Sequence, residues 1–140
     1  MRIEELTSEN SWRQAWPILS QLRASLTEDH FVADRRRLLD EGYRLVGLFS
    51  ENRLCCVAGF IVYPHVTHGR DLWIHDLVTS SDCRSQGMGR LLLIHIRNLA
   101  NGIGCKRVCV HTRNTNEAAQ KFYLEHAGYE KYAIVFHLEV

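Results

Sequence analysis

The chain has 140 residues, 46% of them hydrophobic and 24% charged, enough core-forming material for one domain spanning 1–140 and far from the make-up of a disordered chain. Lys and Arg number 17 against 16 Asp and Glu, a formal net charge of +1, so composition offers no electrostatic grip on nucleic acid or an anionic membrane. Apolar runs such as Leu91 to Ile94 are far too short to span a bilayer. Residues 1–6 carry no signal-like apolar stretch, so the expected setting is the cytoplasm.

The five cysteines fit that setting. An odd count with Cys55 and Cys56 adjacent is not a disulfide framework. Cys55, Cys56, Cys105 and Cys109 lie in apolar stretches and are expected to be buried thiols, whereas Cys83 lies in a polar turn and is expected to be exposed.

In chain order, residues 2–6 alternate as an edge strand. Trp12, Trp16, Leu19 and Leu22 then recur at helical spacing, with Ser11 as the expected N-cap and Pro17 an awkward interior residue. A second helix is expected over 28–40, its Arg35-Arg36-Arg37 run a solvated face. Residues 43–50 and 54–63 read as strands around a hairpin turn at 51–53, and 71–78 as another strand. Met88, Leu91, Leu92, His95, Ile96 and Leu99 mark the buried stripe of a helix over 87–101, with Gly102 at its end. A strand over 107–111, a helix over 116–125 and a final strand over 132–138 complete an α/β sandwich: a mixed sheet of six or seven strands with four helices on its two faces.

The segment that carries chemistry is Arg84-Ser85-Gln86-Gly87-Met88-Gly89-Arg90, between a strand and an amphipathic helix. Two glycines one residue apart let backbone approach a ligand. The unpaired N–H groups of a helix start, with its partial positive charge, suit a phosphate or pyrophosphate, and Arg84 and Arg90 can add charge-assisted contacts. A P-loop is excluded because no Lys follows either glycine, and the dinucleotide fingerprint because its third glycine slot holds Leu92. An ordinary tight turn remains open on this segment alone.

Arg84-x-x-Gly87-x-Gly89 resembles the acyl-CoA signature of the GNAT superfamily of N-acyltransferases. Asn116-x-x-Ala119-x-x-Phe122-Tyr123 resembles that superfamily's later helix, followed by Gly128-Tyr129, and residues 73–78 resemble its fourth strand. Gly128 follows Tyr123 by five positions where most members have four, as if the turn 125–127 held one extra residue.

The resemblance implies a GNAT-type fold and transfer of the acetyl group of acetyl-CoA to an amine by direct attack. It implies that the pantetheine arm pairs near Leu77, Val78 and Thr79, that the pyrophosphate rests on the amides of Arg84, Ser85, Gln86, Gly87, Met88, Gly89 and Arg90, and that Asn116 bonds the arm or a nearby loop. Asn116 equally fits a helix N-cap. Tyr123 stands where the family often has the proton donor to the departing thiolate. His75-Asp76 stands where the family often has Glu-Asp: His75 suits a base, directly or through water, and Asp76 either binds a cationic amine or orients a loop.

His65 and His68 form a pair with no convincing third and fourth ligand, so no metal is expected. Trp12, Tyr43, Tyr63, His65 and His68 are the expected acceptor-pocket side chains. With so little beyond the common core, a small-molecule amine is the expected acceptor. A non-catalytic acyl-CoA-binding module and a protein N-terminal or lysine acetyltransferase are the alternatives. A homodimer through the C-terminal strands is a further expectation.

Overall fold

The computed structural model describes residues 1–140, which divide into two compact units, Met1–Cys109 and Val110–Val140. In the first, a short strand β1 (Arg2–Glu5) pairs antiparallel with β2 (Arg44–Ser50), which pairs with β3 (Arg53–His65), which in turn pairs with β4 (Gly69–Thr79). Strand β5 (Arg107–Val110), reached through helix α4 (Met88–Gly102), takes the place beside β4 and completes a mixed five-stranded sheet in the order β1 to β5. The class is the α/β one expected, with fewer strands.

Helices α1 (Glu9–Leu19), α2 (Glu28–Ala33) and α3 (Arg35–Asp40) lie between β1 and β2 in the chain. The N-cap of α1 is Ser8, whose hydroxyl oxygen accepts from the Ser11 amide at 3.0 Å, so Ser11 lies inside the first turn instead of before it. The expected helix 28–40 is broken at Asp34, which sits at φ −83°, ψ −3° and closes α2 while opening α3; its carboxylate is turned out to Arg37. Trp12, Ala15, Ile18 and Leu19 of α1 and Phe31 and Val32 of α2 pack with Tyr43, Leu45, Val57 and Val78. The alternate residues of the same strands, Cys56, Ala58, Phe60 and Ile74, point to the opposite face, and α4, which touches β2, β3 and β4, brings Met88, Leu92, Leu93, Ile96 and Ala100 into the interior. Leu91 is exposed instead of joining that stripe.

Helix α4 runs through Gly102 and ends one turn-residue later than expected. The Cys105 amide donates to Ala100 O and the Gly104 amide to Asn101 O, with Gly104 at φ +84°, the Schellman closure of a helix. Cys83, expected on the surface, is 4% exposed, because the 3₁₀ turn Ser81–Cys83 folds its thiol inward against Arg53 and Cys55. Cys105 and Cys109 are half-buried. No helix is long and apolar enough to cross a membrane.

The second unit holds helix α5 (Glu117–Lys121) and a wider π-helical turn, Phe122–His126. The final strand expected over 132–138 is absent: a strand needs a second strand for its N–H and C=O groups, and residues 127–140 form no ladder in this chain. Ile134, Phe136 and Leu138 are exposed there.

Candidate functional site

The ladder between β3 and β4 slips by one residue at its middle. Phe60 faces Ile74 and Gly59 faces Asp76, leaving His75 as the extra residue of a bulge. A bulge bends its strand and re-aims a side chain. The half-buried His75 ring lies 6.2 Å from the Tyr63 ring, with Nε2 3.5 Å from the Tyr63 hydroxyl.

Asp76, the residue after the bulge, is 5% exposed. Its Oδ1 accepts from Arg23 Nε at 2.9 Å and Arg23 Nη2 at 2.6 Å, and its Oδ2 accepts from the Tyr43 hydroxyl at 2.8 Å. Arg23 Nη2 also donates to the His75 carbonyl at 3.3 Å, so the guanidinium is fastened to the bulge itself. Burial, with the Asp76 carboxylate beside it, pushes the Tyr43 phenol well above its ordinary pKa, so it stays a donor. Tyr43 reaches Asp76 by passing over Gly59, which has no side chain to block it.

The chain then enters the glycine turn. Ser85 has φ +62° and Gly87 φ +75°, two left-handed residues that swing the backbone into α4. Gly87 is the N-cap and offers no side chain to the helix. The first intrahelical bond runs from the Leu91 amide to Gly87 O, so the Met88, Gly89 and Arg90 amides have no acceptor within the helix. A Cβ at Gly87 would meet nothing within 4 Å; the glycine is needed for its φ, and space lies open before it. Ser85, Gln86 and Arg90 are exposed and Met88 is buried. Arg84 donates to Gln21 Oε1 at 2.7 Å, which ties this turn to the segment between α1 and α2. A cavity of about 210 Å³ adjoins it, lined by Arg53, Cys55, Cys83, Gln86 and Met88 among others.

On the inner edge of β4, Leu77, Val78 and Thr79 pair with Ala58, Val57 and Cys56. On the outer edge, the Lys106 amide donates to Arg70 O at 2.9 Å, which sets β5 level with the start of β4. Four residues of β5, each advancing about 3.3 Å, run out before Leu77.

At the turn of the β3–β4 hairpin, His65 and His68 stack at 4.1 Å between ring centroids. The acidic neighbour that sequence spacing did not suggest is Asp71, buried, with Oδ1 3.2 Å from His68 Nδ1 and Oδ2 2.8 Å from Arg107 Nη2. His65 Nδ1 accepts from the Thr67 and His68 amides at 3.1 Å each, which leaves the ring proton of neutral His65 on Nε2, facing Asp71 Oδ2 at 3.8 Å. The group braces the hairpin and fastens β5 to it. The Arg107 guanidinium, and then His68, hold the Asp71 carboxyl below its ordinary pKa.

Within the second unit, Asn116 is the N-cap of α5: its Oδ1 accepts from the Ala119 amide at 3.1 Å. The helix is α only to Lys121; from Phe122 it widens, and the Ala127 amide donates to Phe122 O five residues back. Tyr123 lies in this π turn, its ring 5.3 Å from Phe122 and 5.5 Å from Tyr129. Gly128, at φ +78°, completes the turn. The extra residue noted before Gly128 is accommodated here.

Two expected pocket residues are core instead. Trp12 is fully buried, stacked on Phe31 and donating from Nε1 to Leu6 O at 2.8 Å, and Tyr43 is the buried donor to Asp76. Sequence reading missed Arg23, the sole charged residue of the segment 20–27, and the role of Gly59. A glycine inside a strand marks a bulge or a close approach; Gly59 is the close approach, on the strand that faces the bulge.

The sequence profile of the Acetyltransferase (GNAT) family matches residues 6–129. An uncharacterized N-acetyltransferase, YhdJ, of Bacillus subtilis (strain 168) is 28% identical over 130 residues, 92% of each chain. Among solved structures, a putative acetyltransferase from Agrobacterium tumefaciens str. C58 superposes with a TM-score of 0.86 at 20% identity over all of both chains. The aminoglycoside N-acetyltransferase AAC(6')-Iy in complex with CoA gives 0.85 at 14% identity, covering 99% of this chain and 93% of its own.

Proposed function

The chain belongs to the acetyltransferase (GNAT) family, and we propose that it is an acetyl-CoA-dependent N-acetyltransferase acting on a primary amine of a small molecule. The observation that carries this reading is the turn at 84–90, where left-handed Ser85 and Gly87 present uncapped amides at the start of a 15-residue helix with open space before them. Those donors suit a pyrophosphate, and the solved relative AAC(6')-Iy holds CoA. The family match spans both compact units, which supports one N-acetyltransferase domain over 1–140.

In this reading the amides of Arg84 to Arg90 hold the pyrophosphate, and the outer edge of β4 at Leu77, Val78 and Thr79, which β5 does not reach, pairs with the pantetheine arm. Asn116 gives its oxygen to the helix cap and keeps its Nδ2 hydrogens for the arm. Acetyl-CoA supplies an activated acetyl group. The acceptor nitrogen gives up a proton to His75, directly or through water, and bonds to the acetyl carbon as the carbon–sulfur bond breaks. Tyr123 donates its phenolic proton to the departing sulfur. Asp76, engaged by Arg23 and Tyr43, positions the bulge that carries His75.

The five free cysteines suit a reducing compartment, the cytoplasm. The run of exposed apolar residues Ile134, Val135, Phe136 and Leu138 supports a homodimer joined through this segment. Calorimetric titration with acetyl-CoA, wild type against Gly87→Glu, tests the reading. Binding is expected in the wild type and lost in the folded variant, where a carboxylate stands in the pyrophosphate's place. A folded wild type that does not bind overturns it, and binding without transfer to any small amine leaves a non-catalytic acyl-CoA-binding module or an enzyme acting on protein amines.

A further inference from the structure

Resting on the acetyltransferase reading, we propose that Arg23 selects the acceptor: an amine that also carries an anionic oxygen group, a carboxylate or a phosphate. The charge balance at the β4 bulge leads there. Asp76 is the buried carboxylate beside His75, and its two oxygens are already engaged by Arg23 and Tyr43. The nearest acids following in the chain, Glu28 and Asp29, face Arg13. A polycation arriving at the bulge therefore finds the Asp76 carboxylate already compensated. It meets a guanidinium whose side chain is 48% exposed, and a second guanidinium, Arg84, is fastened to the same segment through Gln21.

Arg23 is also pre-aligned. Nε and Nη2 are held by Asp76 and the His75 carbonyl, so the planar group cannot swing, while Nη1 makes no hydrogen bond to the protein. A planar guanidinium held along one edge offers its remaining N–H groups in a fixed direction, which matches carboxylate and phosphate oxygens. An anionic group seated on Nη1 lies next to the residue whose carbonyl binds Nη2, namely His75. The acceptor's amine is thereby delivered close to the base. A nearby guanidinium also favours the neutral, nucleophilic form of that amine over the ammonium.

The test compares paired amines in a CoA-release assay: glycine with glycinamide, O-phosphoethanolamine with ethanolamine, and spermidine as the polycation. Wild type is expected to favour the anionic member of at least one pair by about tenfold in kcat/KM; which pair responds separates carboxylate from phosphate. In Arg23→Gln that preference falls to near unity, chiefly through KM, with acetyl-CoA affinity retained. Because Arg23→Gln leaves a buried carboxylate short of its cation, the double variant Arg23→Gln/Asp76→Asn is measured beside it and is expected to lose the preference as well. Transfer that favours spermidine or the neutral members, or a preference that survives both variants, overturns the assignment of Arg23 while the acetyltransferase reading stands. Transfer to none of the five by a protein that binds acetyl-CoA overturns the assignment too. A wild type that does not bind acetyl-CoA brings down the underlying reading.

Discussion

A Cβ atom on Gly59 would lie 1.8 Å from the hydroxyl oxygen of Tyr43 and 2.4 Å from the ring carbon that bears it. Tyr43 stands immediately before β2 while Gly59, within β3, pairs with Leu45, and the missing side chain of the glycine is the path of the phenol. Through that gap the phenol reaches Asp76, the cross-strand partner of Gly59. Strand pairing, a glycine and a buried hydrogen bond thus converge on one point of the sheet, next to the bulge at His75.

Gly59→Ala is therefore expected to be strongly destabilising. Overpacking costs about 1–3 kcal/mol, and displacing the Tyr43 hydroxyl strips a donor from a buried carboxylate at about the same cost. Gly102→Ala, where a Cβ meets nothing within 4 Å in the last turn of α4, is the control and should be neutral or slightly stabilising. Urea denaturation of the two variants checks this; equal midpoints would mean that Tyr43 simply swings aside.

Tyr123→Phe keeps the ring against Phe122 and Tyr129 and removes only the hydroxyl. If the phenol is the acid toward the leaving sulfur, turnover falls by about 10²-fold or more while acetyl-CoA affinity hardly changes. Steady-state kinetics beside calorimetry separate the two effects. Unchanged turnover would take Tyr123 out of the chemistry.

Asp71 gives the fold an acid-sensitive joint. Its carboxyl is held below the ordinary value of 3.8 by Arg107 first and His68 next, so it contributes stability that is complete above that value and is lost as pH falls through the lowered one. Asp71→Asn should be less stable than wild type at pH 7, and the difference should shrink as the pH is taken from 5 toward 2. Urea midpoints across that range report it, and a difference that stays constant with pH would contradict the assignment.

Burial pushes the Cys56 thiol up to about 11, and contact with Cys55 together with desolvation does the same for Cys83. Both are thiols at neutral pH and poor nucleophiles. Limited labelling of the native protein at pH 8, read by peptide mass spectrometry, should mark the half-buried Cys105 and Cys109 before Cys55, Cys56 and Cys83. Early labelling of Cys83 would show that the 3₁₀ turn opens readily.

What was legible in the sequence was local. The turn at 84–90 could be read because left-handed backbone favours glycine and because the periodic stripe after it announces a helix. Asn116 as a cap could be read from the oxygen it places three residues before an amide. The pairing of Arg23 with Asp76 could not, since 53 residues separate them and no pattern links the segment 20–27 to a strand. The same holds for Trp12 and Tyr43, whose polar edges suggested a pocket until the structure showed each satisfied inside the core. The segment 132–138 has the β-branched and aromatic residues of a strand, but such a composition says nothing of whether another strand is there to pair with it.

The π turn at Phe122–His126 bears on how relatives of this chain should be aligned. One residue added to an ordinary α-helix rotates everything beyond it by about 100°, whereas a single wide turn takes up the addition and leaves the preceding face undisturbed. Counting back four residues from Gly128, the spacing usual in the superfamily, lands on Leu124; counting forward from Asn116 lands on Tyr123. The helix is regular through Lys121 and widens only from Phe122, so the forward count runs along undisturbed helix up to the turn that holds Tyr123, whereas the backward count crosses the added residue. Homologues that carry the same one-codon difference should be numbered from the asparagine, or their tyrosine will be recorded as lost.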